Sequence, residues 1–164
     1  MTQGISRRWP REGAGLAVSA IAVTIAAGVG GVAVTSAAET YGRLQQPGWA
    51  PPAALFGPMW TVLYASMAVS AWLVWRSYPS PENRLPLAAY GIQLVLNMAW
   101  TPLFFGLGWR GTAFIEILVL WGFIAATVML FWHRSRWAAI LLLPYLAWTT
   151  FAAVLNFSVW QLNS

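Results

Sequence analysis

The sequence predicts an all-α, polytopic membrane protein: one domain built as a bundle of five transmembrane helices. Three observations carry this. Of 164 residues, 59% are apolar and only 8% charged, against roughly a quarter charged in a water-soluble domain. The apolar residues fall into five runs, each near the ~20 residues a helix needs to cross a bilayer. The charged and proline-rich clusters lie almost entirely between those runs. An ordinary water-soluble globule is excluded.

Taken in order, residues 1–13 are a basic N-terminal segment containing Arg7, Arg8 and Arg11. The first span covers about residues 14–38. Ser36-Ala37-Ala38 resembles a signal-peptide cleavage site, but the apolar run is longer than the 7–15 residues of a secretory h-region, and Trp9-Pro10 interrupts the stretch after the twin arginines. It reads as a retained helix. Ala22, Ala26 and Gly30 give it a small-x3-small stripe, which lets a second backbone approach closely. Residues 39–50 form the loop with enough length to act as a lid. The remaining spans cover about residues 51–75, 86–105, 112–132 and 137–160. Pro58, Pro102 and Pro144 fall inside them, where proline bends a helix or widens the space beside it.

All nine basic residues are Arg and all four acids Glu, for a net charge of +5. In a soluble chain that balance would point to nucleic acid. Here the arginines flank apolar runs, where they orient the protein and meet anionic headgroups, so no nucleic-acid partner is expected. Five spans place Arg7, Arg8, Arg11, Arg76, Arg84, Arg134 and Arg136 on one side and Arg43 and Arg110 on the other. In an inner-type membrane this puts the N-terminus in the cytoplasm. The composition does not decide between an inner and an outer membrane. Trp72, Trp75, Trp109, Trp132, Trp137 and Trp160 fall at span ends, as interfacial indoles do.

The chain has no cysteine, which removes thiolate metal sites and cysteine nucleophiles. His133 lies beside Arg134 at a loop, so axial haem ligation within the bundle has no support and no metal site is expected. Glu116 is the one acid within a span; pairing with Arg110 is the expected use.

Other residues within the spans point to a site. At ~1.5 Å rise per residue, measured from the lid side, Trp60 lies about 13 Å deep, Trp148 about 18 Å, Trp121 about 14 Å, and Gln93 and Asn97 between about 12 and 18 Å. Helical phase agrees. Trp60, Tyr64 and Met67 repeat at i, i+4, i+7; Gln93, Asn97 and Trp100 do the same; Tyr145, Trp148, Ala152 and Leu155 follow at i, i+3, i+7, i+10. Amides are costly in hydrocarbon, so Gln93 and Asn97 should face the bundle interior, as ligand contacts or as glue between helices.

Taken together, these residues resemble the TspO/translocator protein family, the tryptophan-rich sensory proteins and peripheral benzodiazepine receptors. The likeness rests on Pro47-Gly48-Trp49-Ala50-Pro51-Pro52, on Phe56-Gly57-Pro58-Met59-Trp60-Thr61-Val62-Leu63-Tyr64, on Gln93 through Gly106 with Asn97, Trp100 and Pro102, and on Pro144-Tyr145-Leu146-Ala147-Trp148 followed by Leu155-Asn156. The resemblance implies a five-helix receptor, often a homodimer, whose pocket is covered by the first loop. It implies binding of porphyrins, notably protoporphyrin IX or another tetrapyrrole, with Trp49, Trp60, Tyr64, Gln93, Asn97, Trp148, Ala152 and Leu155 at the family's contact positions. Depth and phase add Trp100, Trp121 and Tyr145 as candidate contacts. In bacterial members a light-dependent oxidative degradation of porphyrin is attributed to two tryptophans that match Trp60 and Trp148. A role in tetrapyrrole or stress regulation is implied with it.

There are departures. Leu155-Asn156-Phe157 and Gln161 break the animal cholesterol motif, and Ala88 is followed at four-residue spacing by Ile92, so the dimer stripe of the third helix is only partly kept. The expectation is an integral, multi-pass porphyrin-binding protein that requires no cofactor, with binding ranked ahead of catalysis. The rival is a sterol or lipid carrier without chemistry. An ion transporter would need a chain of ionisable groups through the spans, and Glu116 alone does not supply one.

Overall fold

The computed structural model describes residues 37–77 and 81–164, and those residues are helical apart from short connections. Helical residues 37–43 (α1) lead into an irregular stretch, 44–52. A 3-10 turn, Ala53–Leu55, opens α2, Phe56–Ser77, and α3 follows over Arg84–Thr101. A π-turn, Pro102–Gly106, then precedes α4, Arg110–Trp132, and α5, Arg136–Leu162. Four helical segments are long and apolar enough to cross a membrane: Ala53–Ser77, Arg84–Gly106, Arg110–Trp132 and Arg136–Leu162. These are the second to fifth predicted spans, each within a few residues of its expected ends. The basic segment 1–13, most of the first span (14–38), and its Ala22, Ala26, Gly30 stripe lie outside the described residues. The expected lid, 39–50, is corrected at its start, because residues 39–43 continue the helix of α1 and the lid occupies 44–52.

Local chemistry explains the boundaries. Pro52 is extended at φ −62°, ψ 145°, which stops α2 from starting earlier. Pro102 brings no N–H to the ladder, and the helix widens there: Leu107 N–H donates to the Pro102 carbonyl at 2.9 Å. This is an i→i+5 bond, the mark of a π-turn. Gly108, at φ +67°, then reverses the chain in a conformation that strains any side chain. Ser135 caps α5 by accepting from the Ala138 N–H at 3.4 Å. Pro144 lies inside an unbroken α5, and Pro58 sits in the first turn of α2, where no intrahelical N–H is lost.

α4 packs along both α3 and α5, and α5 also packs along α2, while α2 and α3 touch at few points. A core of Met67, Val74, Leu120, Phe131, Leu142 and Tyr145 fills the arginine-bearing half. There Ser70 Oγ donates to the Ala138 carbonyl at 2.7 Å and Asn83 Nδ2 to the Val74 carbonyl at 2.8 Å. Arg134 pairs with Glu82 at 2.6 Å, and the Arg76 and Arg136 guanidiniums lie 4.6 Å and 5.9 Å from the Trp72 and Trp132 rings. At the opposite end α4 and α5 close tightly. A Cβ on Gly111 would stand 2.9 Å from Cζ2 of Trp160, so Trp160 is held in a helix contact rather than standing free in an interfacial belt. The thin α2–α3 contact leaves room for a cavity.

Candidate functional site

A cavity of about 650 Å3 lies among the end of α1, α2, α3, α4 and α5. That is within the roughly 300–1,000 Å3 of small-molecule sites. Six sequence-nominated residues line it: Trp60, Tyr64, Asn97, Trp100, Ala152 and Leu155. Small residues on α2 (Gly57, Ala65, Ala68) make the space, and no charged side chain lines it among the described residues.

Two hydrogen-bond chains fix the polar part. Tyr64 donates its hydroxyl to Asn97 Oδ1 at 2.8 Å, and Asn97 Nδ2 donates to the Tyr145 hydroxyl at 3.0 Å. One amide thereby ties α2, α3 and α5 together. Trp100 Nε1 donates to Asn156 Oδ1 at 3.1 Å, and Asn156 Nδ2 donates to the Arg110 carbonyl at 3.0 Å. This holds the indole plane, which stacks on Phe104 with centroids 5.0 Å apart. The Trp60 ring lies 5.4 Å from that of Tyr64 and 6.2 Å from that of Tyr145. Two aromatic walls thus flank a cavity whose polar groups are neutral.

Other nominated residues stand elsewhere. Tyr145 is wholly buried in the core, reaching the site through Asn97. Trp148 is half-buried behind the wall, its ring 5.8 Å from that of Phe56, which does line the cavity, and 5.3 Å from that of Phe151. Phase does not keep it out, since Thr149, Ala152, Leu155, Asn156 and Val159 form the lining face of α5 and Trp148 falls within that arc, ~40° from Ala152; its ring packs against Phe56 and Phe151 instead. Trp49 of the lid is half exposed and meets the Phe151 ring at 5.8 Å. Gln93 points inward as expected, 1% exposed, but away from the lining, with neither amide atom paired among the described residues. The inward expectation for Trp121 is corrected. Its ring is on the outer face of α4, where Nε1 donates to Thr150 Oγ1 at 2.8 Å. The expected Glu116–Arg110 pair is not formed; both Glu116 carboxyl oxygens are shielded and without a hydrogen-bond partner.

Sequence reasoning did not nominate Phe104, Asn156 or Tyr41. The signal for Asn156 was present, since an amide within an apolar span is the feature that singled out Asn97. Tyr41 closes the lid end: its hydroxyl donates to the Pro51 carbonyl at 3.2 Å, and Gln46 Nε2 donates to the Tyr41 carbonyl. Burial pushes the Tyr41 hydroxyl above its ordinary value of 10.0. The arrangement offers flat aromatic faces to a planar apolar body and neutral donors and acceptors to its edge.

Comparison with known proteins agrees with this architecture. The profile of the TspO/MBR family matches residues 18–161. The chain is 46% identical to the translocator protein of Ovis aries over 125 residues, covering 75% of this chain and 74% of that one. It is 39% identical over 148 residues to a tryptophan-rich sensory protein of Cereibacter sphaeroides, covering 88% and 92%. Against the tryptophan-rich protein TspO of Chlorobaculum tepidum it is 36% identical over 146 residues, covering 87% and 92%. With an all-helical fold and four membrane-crossing helices among the described residues, the chain belongs to the TspO/MBR family of integral, multi-pass membrane proteins.

Proposed function

We propose that this protein binds porphyrins of the protoporphyrin IX class within the membrane. The observation that carries the proposal is the pair of aromatic walls, Trp60 with Tyr64 and Trp100 with Phe104, about a cavity whose polar lining is uncharged. A porphyrin is a flat apolar macrocycle with carboxylates at one edge. Indole and phenol faces suit its plane, and a largely apolar cavity without fixed charge suits its body. The carboxylates remain toward the lid, where water and the exposed Arg43 are available. Titration with protoporphyrin IX, read by quenching of tryptophan fluorescence, tests this. Saturable quenching that a sterol does not displace supports porphyrin binding; displacement by sterol supports a lipid carrier instead.

A second reading has its own observation. Trp60 lines the cavity and places an oxidisable indole against any bound macrocycle. Under light, a bound porphyrin transfers its excitation to dissolved oxygen, and the confined excited oxygen adds to the macrocycle. The protein contributes confinement rather than acid–base groups. Illumination of the complex in wild type and in Trp60→Phe separates binding from degradation: equal loss of porphyrin absorbance in both contradicts a catalytic role for Trp60.

A further inference from the structure

The lid is fastened to α5 through one side chain. Asn163 Oδ1 accepts from the Gln45 backbone N–H at 3.0 Å, while its Nδ2 donates to the Gln45 carbonyl at 2.9 Å and the Val159 carbonyl at 2.7 Å. Both N–H donors of the carboxamide and one of its two oxygen lone pairs are committed. The Gln45 side chain takes no part in these bonds. Between lid and α5, these two bonds to Gln45 are the hydrogen bonds found among the described residues. The other bonds within this region, Gln46 and Leu44 to the Tyr41 carbonyl, Tyr41 to Pro51 and Ala50 to Pro47, stay within α1 and the lid itself.

The fastening is placed where it matters. Val159 is fully buried and lines the cavity, in a cluster with Tyr41, Phe104, Ala113 and Leu155 against which Leu44 and Ala50 of the lid pack. A lid lifted from Asn163 would therefore open the end of the cavity. Asn suits the position chemically. Asp has the same shape but would set an acceptor against the Gln45 and Val159 carbonyls, and Ser is too short to meet both backbone groups of Gln45.

We infer that Asn163 is the latch of the lid: its carboxamide holds the Gln45 backbone down over the cavity and sets how fast a ligand escapes. The gating part rests on the tetrapyrrole assignment; the latch itself does not. The test uses the full-length protein in lipid nanodiscs, as wild type, Asn163→Ala, Asn163→Asp and Gln45→Ala. Hydrogen exchange of the 44–52 segment is read without ligand, and release of protoporphyrin IX into excess albumin is followed by recovery of tryptophan fluorescence. Losing the two lid bonds should speed both by roughly tenfold in Asn163→Ala, and at least as much in Asn163→Asp. Gln45→Ala should match wild type, since only its backbone is used. Lid exchange unchanged in both Asn163 variants at an unchanged melting temperature overturns the latch. Faster exchange with unchanged release overturns the gating. Porphyrin that fails to bind wild type refutes the ligand assignment, and the exchange measurement then decides the latch alone.

Discussion

Replacing Asn97 with Leu removes the amide that joins three helices while keeping its branched heavy-atom outline. Two hydrogen bonds are lost, Tyr64 to Asn97 at 2.8 Å and Asn97 to Tyr145 at 3.0 Å. Interhelical hydrogen bonds in membranes average only about 0.6 kcal/mol, so the bonds alone contribute about 1.2 kcal/mol. The Tyr145 hydroxyl belongs to a fully buried residue, so losing the amide adds part of the roughly 1–3 kcal/mol cost of an orphaned polar group. The loss should total about 2 kcal/mol. Reversible unfolding in mixed micelles measures it, and a cycle with Tyr64→Phe isolates the first bond. The coupling between the two substitutions should be about 0.6 kcal/mol, and at most about 1.7. A coupling of zero, with Asn97→Leu as stable as wild type, would show that the amide holds nothing together and refute the polar scaffold of the site.

Further outcomes follow from the same geometry. Gly111→Ala forces a methyl to 2.9 Å from the Trp160 ring and should cost about 1–3 kcal/mol in unfolding experiments, a loss that shrinks in a Trp160→Leu background. Trp60→Ala should weaken protoporphyrin IX binding by roughly tenfold, because it removes a wall ring, whereas Trp148→Phe, behind the Phe56 ring, should change it less than about twofold. Trp121→Phe loses one bond to Thr150 on the outer face and should leave stability within about 0.5 kcal/mol and ligand affinity unchanged. Burial raises the Tyr41 hydroxyl above 10.0, so its contribution to stability is complete below pH 10.0 and fades as pH climbs through the raised value. Alkaline unfolding of Tyr41→Phe should lack that component.

Much of the bundle was legible because hydrocarbon imposes a length and a composition on each span, and α2 to α5 lie within a few residues of the expected runs. Spacing along one helix was equally legible: Trp60 and Tyr64, or Asn97 and Trp100, face the same way because residues three and four apart share a face. The rotation of a helix about its own axis was not. Trp148 shares the arc of the lining residues yet packs against Phe56 and Phe151, and Trp121 faces outward, because neither depth nor spacing states which neighbour a face meets. Contacts between distant residues were also invisible. The pairing of Gln45 with Asn163 joins positions 118 apart and carries no local pattern. The π-turn after Pro102 was foreshadowed only as a bend, and the extension of α1 to residue 43 was masked by the polar residues Glu39 and Arg43 on its exposed side.

The central claim is that a planar tetrapyrrole occupies the cavity between the Trp60 and Trp100 walls. Ala152→Trp fills that cavity from α5, whereas Val154→Trp, two residues along and exposed on the lipid face, leaves it open. The visible absorption of protoporphyrin IX, titrated with each variant and with wild type, gives the most direct answer. The account predicts a saturable spectral shift for wild type and Val154→Trp and none for Ala152→Trp. An undiminished shift with Ala152→Trp would place the porphyrin somewhere else.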